Sequence, residues 1–400
     1  MDIKAVFFLL TSLWIVIFAA ASVAQLPNEK LKAYLETLRL LPIDSVIKLE
    51  LSEMNLNTWP VELLKFNQAE DIDINGNLFT SIPAELKAYG KLHTLSMNQN
   101  LLHGQRLNLR HLKQLKRFSA SKNKFQYELR LVARPALQEV KLSQNQLTVF
   151  SYRSRGLNAL ELAYNRIEAL RKPFWQAAKL EVVVLYGNGM ERLPKGLTQH
   201  KNIKKLTLSI NEFSQIPLEL QNFRQLESLL FYKNKLAAFP DFVWEMKQLR
   251  EIDVHHNRIE AVPEGIGKLK LLKELYLAHN CIPSLPTTLS KLSALEYLYI
   301  ENNELQALPI GFDSLVSLKR LSLAGNKFLV FPAAVANLTA LQEFDISEND
   351  IESFPQTLTL KNNLKLLLLN ENACITGMQC MHYLRLMQMQ SVNPVLKFQY

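Results

Sequence analysis

Residues 272–286 read LKELYLAHNCIPSLP, and residues 295–309, one step on, read LEYLYIENNELQALP. Leu272, Leu275, Leu277, Asn280, Ile282, Leu285 and Pro286 return 23 positions later as Leu295, Leu298, Ile300, Asn303, Leu305, Leu308 and Pro309. Self-similarity at a period of 20–50 residues marks a stacked repeat array, and it has to be sought before domains are counted. Followed outward, the first aliphatic position recurs at Leu318, Leu341 and Leu364, and backward at Leu249, Leu226, Ile203, Leu180, Leu157, Leu137, Leu115, Leu92, Ala69 and Val46. That gives fifteen units, which replace the two or three separate domains that 400 residues would otherwise suggest.

Within a unit, the alternation Leu275-x-Leu277 has period 2, the signature of a short strand with one buried face. The Asn at fixed phase is Asn77, Asn100, Asn123, Asn145, Asn165, Asn188, Asn211, Asn234, Asn257, Asn280, Asn303, Asn326, Asn349 and Asn372. A side-chain amide both donates and accepts, so turned inward it can satisfy backbone groups where the chain leaves the strand. Without such partners a buried amide costs about 1–3 kcal/mol, so a column of them requires a ladder of hydrogen bonds. Pro at the end of the unit fixes φ near −65° and starts the return segment. A single unit cannot cover its own apolar face, so stacking is obligatory and both ends need caps.

The pattern LxxLxLxxNxLxxLP resembles the leucine-rich repeat family. Its 23-residue length with a closing Pro resembles the Ras-suppressor and Scribble-like subclass, which also occurs among bacterial secreted proteins. The resemblance implies an α/β solenoid, a horseshoe with a concave parallel β-sheet and short helical or irregular convex segments. The expected organisation is a leader over 1–24, an N-terminal capping helix within 25–45, fifteen repeats over 46–372 and a C-terminal cap over 373–400, with a helix over 376–391. Units three to six lack the closing Pro, and two of them are short, which predicts a local change of convex structure and curvature or a bend between two binding surfaces.

Ala5–Ala24 (AVFFLLTSLWIVIFAAASVA) is apolar and uncharged and ends in Ser22-Val23-Ala24. It reads as a secretory signal peptide, with an uncleaved membrane anchor as the alternative. The three cysteines exclude a dense disulfide scaffold. Cys281 follows Asn280 at a variable phase; Cys374 holds a phase filled by Leu, Ile, Phe or Met elsewhere and so reads as core filler, a Cys374–Cys380 disulfide closing the C-terminal cap being the alternative. Extracellular eukaryotic relatives usually have Cys-rich caps, so an export signal without them points to a bacterial periplasm, cell surface or secreted location.

No P-loop, GxSxG or HExxH motif occurs, so the chain reads as non-enzymatic, with no cofactor and no catalytic residue. His255, His256 and His279 fall close in phase, but surface imidazoles are the simpler reading than a metal site, and none is expected. Positions beside and between the strand leucines point outward. Aromatic and aliphatic residues gather there in units seven to twelve: Val182, Val184, Tyr186, Leu230, Tyr232, Tyr276, Tyr297 and Tyr299, with Asp253 and His255 among them. Tyr gives large contact area with a polar tip, so this patch is the candidate site for a protein, peptide or glycan partner.

The chain's excess of nine positive charges is local. Arg106, Arg110, Lys113, Lys116, Arg117, Lys122 and Lys124 crowd a stretch whose only acid up to Arg134 is Glu128. An anionic glycan or lipid surface suits them better than nucleic acid, since no aromatic interleaving accompanies them; a solvated convex face is the plainer reading. Two other functional readings stand beside partner recognition: an envelope structural or adhesion component, and a membrane-tethered scaffold regulating a small GTPase, which the subclass resemblance suggests.

Overall fold

The computed structural model describes residues 29–152, 156–171, 179–352, 364–372 and 397–399. The expected leader, Cys374, Cys380 and the helix expected over 376–391 lie outside the described residues. Among the described residues no helix is long and apolar enough to cross a membrane. The chain forms two compact units, the first from the N-terminal side through His103 together with Arg110–Lys124, the second from Gly104–Leu109 and Phe125 onward.

In the first unit, parallel strands Lys48–Glu50, Asp71–Asp73, Thr94–Ser96 and Arg117–Ser119 pair in register. Each has one inward side chain, Leu49, Ile72, Leu95 and Phe118, all essentially without exposure. Three-residue strands with a buried middle residue are what the period-2 pattern LxL delivers. Pro60 and Pro83, at φ −67° and −57°, then open 3-10 turns Val61–Phe66 and Ala84–Ala88, which bury Leu63, Phe66 and Leu86. An α-helix, Glu29–Arg39, precedes the first strand and buries Leu38. The Glu50 N–H donates to the Tyr34 hydroxyl at 2.9 Å. One donor on the open edge of the first strand is thereby covered, the usual way a sheet edge is protected from stray pairing.

In the second unit, the parallel row runs through Glu139–Lys141, Ala159–Glu161, Val182–Val184, Lys205–Thr207, Ser228–Leu230, Glu251–Asp253, Glu274–Tyr276, Tyr297–Tyr299, Arg320–Ser322, Glu343–Asp345, Leu366–Leu368 and Lys397–Gln399. As far as Leu366–Leu368 every register pair joins like phases, as in Ile252↔Leu275 and Leu275↔Leu298. Opposite this row, Pro217, Pro240, Pro263, Pro286 and Pro332 each cap a 3-10 turn.

The units without Pro differ. Their return segments are extended and form a second parallel sheet, in the order Ala169–Arg171, Gln146–Tyr152, Gln126–Val132, Arg106–Asn108. Sequence reading anticipated altered convex structure here but not strands. The physical reason is the free backbone N–H: the phase held by Pro elsewhere is Arg106, Leu129, Ser151 and Arg171 here, each inside a strand of this sheet, where a Pro ring would have no N–H to give; one residue past Leu129, Arg130 donates to Gln105 O at 2.8 Å. Buried residues recur at Leu129 and Leu131 and at Leu147 and Phe150, with a bulge after Tyr127. Among the described residues, the sheet continues beyond Ala169–Arg171 only as a single bridge to Lys195, beside Pro194.

The asparagine amides tie coil to coil. Asn280 Oδ1 accepts from Ile259 N–H, 21 residues earlier, at 2.9 Å. Its Nδ2 donates to Val254 O of the previous coil at 3.1 Å and to Leu277 O of its own at 2.9 Å. Asn100 makes the same bonds in the first unit, to Phe79 N–H at 3.0 Å and Ile74 O at 2.9 Å. Twelve of the fourteen side chains are buried; Asn234 and Asn257 are half-buried.

One feature of the ladder had no counterpart in the sequence reading. The residue before each ladder asparagine sits in the left-handed region: Gln99, Lys122, Gln144, Tyr164, Ile210, Lys233, His256, His279, Asn302, Glu348 and Glu371, with Gly76, Gly187 and Gly325 at the remaining positions. Ile210, at φ +51°, is the costliest, since a β-branched residue is strained there. The turn that swings the amide inward is imposed by the bonds that follow it, not by a local preference for glycine.

Candidate partner-binding surface

From Glu139–Lys141 to Leu366–Leu368, each strand of the second unit's parallel row buries its middle residue, its first and third being outward in phase. The third positions bring Tyr276 and Tyr299 into register, and their rings stack with centroids 5.3 Å apart and planes 10° apart. The Tyr276 hydroxyl donates to Glu274 Oε2 at 2.7 Å. Burial, that bond and the charges of Glu274 and Glu251 push the Tyr276 phenol well above its ordinary range. Two residues past the strand, Tyr232 stacks on His255 at 4.0 Å and 18°. The His255 ring bonds Asp253 Oδ1 through Nδ1.

Val182, Val184, Tyr186, Tyr232, Asp253, His255, Tyr276, Tyr297 and Tyr299 are all half-buried, partly shielded by the adjoining rows. Leu230 is a correction: expected to face water, it keeps 8% exposure. Its register neighbours Thr207 and Asp253 lie one strand away on either side, so a branched side chain lying in the row loses most of its access to water. Ser322, also outward in phase, is likewise buried.

Tyr186 lies apart from the Tyr276–Tyr299 pair. It packs edge-on against Tyr164 at 4.9 Å, with hydroxyls 3.1 Å apart. The Tyr164 hydrogen bond and burial push its phenol up to about 12. Tyr164 was missed at the sequence level; it occupies the left-handed phase, and its ring fills the space above Gly187, where a Cβ would fall 2.7 Å from it. The same phase brings His256 and His279 into a stack at 4.0 Å and 9°. Burial, then the neighbouring His279, His255 and Lys233, holds the His256 imidazole below its ordinary value. Among the described residues no three His, Cys, Asp or Glu side chains are placed to hold a metal ion. Cys281 is exposed and free. Burial raises the Glu301 carboxyl above the usual range, and its Oε2 has no hydrogen-bond partner.

The basic residues are divided between the two units. Arg106 lies on the second sheet of the second unit, whereas Arg110, Lys113, Lys116, Arg117, Lys122 and Lys124 belong to the first unit. All are exposed, and Arg117 stands on the parallel row, donating to Thr94 Oγ1 at 3.0 Å.

The leucine-rich repeat family profile matches residues 247–305 and 285–328. No curated protein matches the sequence. Among solved structures, a leucine-rich repeat protein of Leptospira interrogans is similar at 22% identity and TM-score 0.61, over 91% of this chain and 98% of that one. An internalin of Listeria monocytogenes is similar at 18% identity and TM-score 0.52, over 88% and 93%. The Arabidopsis receptor kinase HAESA, solved with the peptide hormone IDA and the co-receptor SERK1, is similar at 24% identity and TM-score 0.54; this chain aligns over 79% of its length and spans 56% of that one. Repeat spacing, stacked coils and parallel row agree with these likenesses: the chain has the leucine-rich repeat solenoid fold, and residues 247–328 match the family profile itself.

Proposed function

We propose that the protein is an exported recognition module that acts by binding, not by catalysis, and that it captures a protein or peptide partner on the outward side of its parallel row between Val182 and Tyr299. The observation that carries this reading is the stacked Tyr276–Tyr299 pair, two aromatic rings held side by side where no core demands them. Prestacked rings lose little conformational freedom on binding, and Tyr is among the residues whose truncation costs most at interfaces. The likeness to HAESA, a peptide-hormone complex, agrees with a polypeptide partner. Export rests on the apolar, charge-free run Ala5–Ala24.

The test is photo-crosslinking from position 297 in the native cell, followed by titration of the captured partner. Tyr276→Ala with Tyr299→Ala should weaken partner binding by about thirtyfold or more, the scale of losing one interface hot spot. The melting temperature should stay within about 2 °C, since surface substitutions outside the packed core cost little. Undiminished binding by the double variant rejects this surface. Mass spectrometry of the mature N-terminus tests export: a start at or near Gln25 is expected.

A further inference from the structure

One stretch of the first outward column of the second unit reads, in register, Glu251, Glu274, Tyr297, Arg320, Glu343. Its two ends are built from the same parts but are not equally complete. At the Arg320 end, the guanidinium lies over the Tyr297 ring, 5.9 Å from its centroid, and its Nε is 3.0 Å from the Glu343 carboxylate. That is a cation on an aromatic face with a carboxylate beside it, the arrangement that best suits a planar guanidinium. At the other end, Glu251 and Glu274 are direct register neighbours, about 4.8 Å apart at strand spacing. Among the described residues neither forms an ion pair. Acids elsewhere in these coils do find cations one repeat away: Glu227 with Arg250 at 3.7 Å, Glu296 with Lys273 at 3.1 Å, Glu245 with Lys268 at 2.7 Å. Like charges directly opposite in a sheet are unfavourable, so the Glu251–Glu274 pair is a standing cost that a cation would relieve.

The surroundings extend the same chemistry. Tyr276, next to this pair, donates its hydroxyl to one Glu274 oxygen, which leaves the rings of Tyr276 and Tyr299 as a platform bordered by carboxylates. Asp253 is Tyr276's register neighbour on the other side. Glu301 follows two residues past Tyr299, with an unpartnered oxygen. The chain as a whole is basic, so this acidic, aromatic strip stands against the net charge.

We infer that the outward side of strands Glu251–Asp253, Glu274–Tyr276 and Tyr297–Tyr299 receives an arginine-bearing extended segment of a polypeptide partner, a guanidinium resting on the tyrosine rings and bridging Glu251 and Glu274 as Arg320 bridges Tyr297 and Glu343. The inference rests on the binding surface proposed above and adds the chemistry of what it binds. Arginine is favoured over lysine because its planar fork both stacks on a ring and takes a carboxylate through two donors.

The probe is a fluorescein-labelled peptide of alternating Arg and Gly, with a citrulline-for-arginine copy that keeps shape and loses charge, read by fluorescence anisotropy on the full chain. Binding of the arginine peptide should weaken at least tenfold in Glu251→Gln with Glu274→Gln, and to the same degree for the citrulline peptide on the parent protein. Glu36→Gln with Glu62→Gln, which removes equal charge from exposed sites in the first unit, should change it less than twofold. The melting temperature of the Glu251/Glu274 variant should not fall, because a repulsive pair has been removed. Equal binding by the Glu251/Glu274 variant, equal binding of citrulline, or an equal loss in the Glu36/Glu62 control each overturns the inference. Should Tyr276→Ala with Tyr299→Ala abolish capture of the crosslinked partner while the Glu251/Glu274 variant retains it fully, the binding surface stands and the arginine chemistry is wrong.

Discussion

Coils that close with Pro and coils that lack it share one wall and differ in the other. On the strand side they are alike. Asn165, in a coil without Pro, accepts from Leu147 N–H at 3.0 Å and donates to Leu142 O at 3.0 Å; Asn280, in a coil with Pro, makes the equivalent bonds at 2.9 and 3.1 Å. On the return side, Pro286 at φ −70° opens a 3-10 turn, whereas Gln146–Tyr152 runs extended and pairs on both edges. The inner wall is thus set by the amide ladder, and the outer wall by whether the return segment has an N–H to give.

The comparison can be broken most forcefully at the ladder. Asn280→Leu strands the Ile259 N–H and the Val254 and Leu277 carbonyls, and should destabilise the second unit by about 3 kcal/mol or more in urea titration. Asn165→Leu should cost a similar amount. A cost below about 1 kcal/mol for one of the two would show that the inner wall is not common to both kinds of coil.

The outer wall gives the next largest effect. Arg130→Pro removes the bond to Gln105 O from the second sheet and should cost about 3 kcal/mol. Pro286→Ala, in a coil whose turn already suits Pro, should cost only about 0.4–1 kcal/mol, through the entropy of the unfolded chain. Equal costs at the two sites would remove the distinction between the walls.

The smallest effect refines the account of the ladder. Ile210→Gly relieves a left-handed β-branched residue and should stabilise by about 0.5–1 kcal/mol after the entropic cost of glycine. A loss of stability would mean that the Ile210 side chain contributes more packing than its backbone costs.

The sequence made the ladder legible because Asn at a fixed phase has one physical use, to serve donors and acceptors at once. The left-handed residue before it was illegible because its identity varies from Gly187 to Ile210 to His256: the conformation is demanded by the neighbouring anchor and leaves only a trace, the recurrence of Gly76, Gly187 and Gly325. The second sheet was half-legible. Missing Pro marked its units, and Leu129 and Leu131 alternate, but whether two such segments pair depends on their meeting across coils. For the candidate surface, phase alone put Tyr276 beside Tyr299 and Glu251 beside Glu274. It did not report that the rings would stack, nor that Leu230 would be covered by its neighbours, because both depend on side-chain rotamers and on the rows alongside.

The claim on which the rest depends is that side-chain amides bind successive coils into a single cooperative wall within each unit. Amide hydrogen exchange on the full chain tests it most directly. The N–H groups held by ladder oxygens, Phe79 and Leu102 in the first unit and Leu236, Ile259, Ile282 and Leu305 in the second, should exchange only through global opening of their unit and rank among its slowest. Exchange of these amides at the rate of exposed loops would contradict the account.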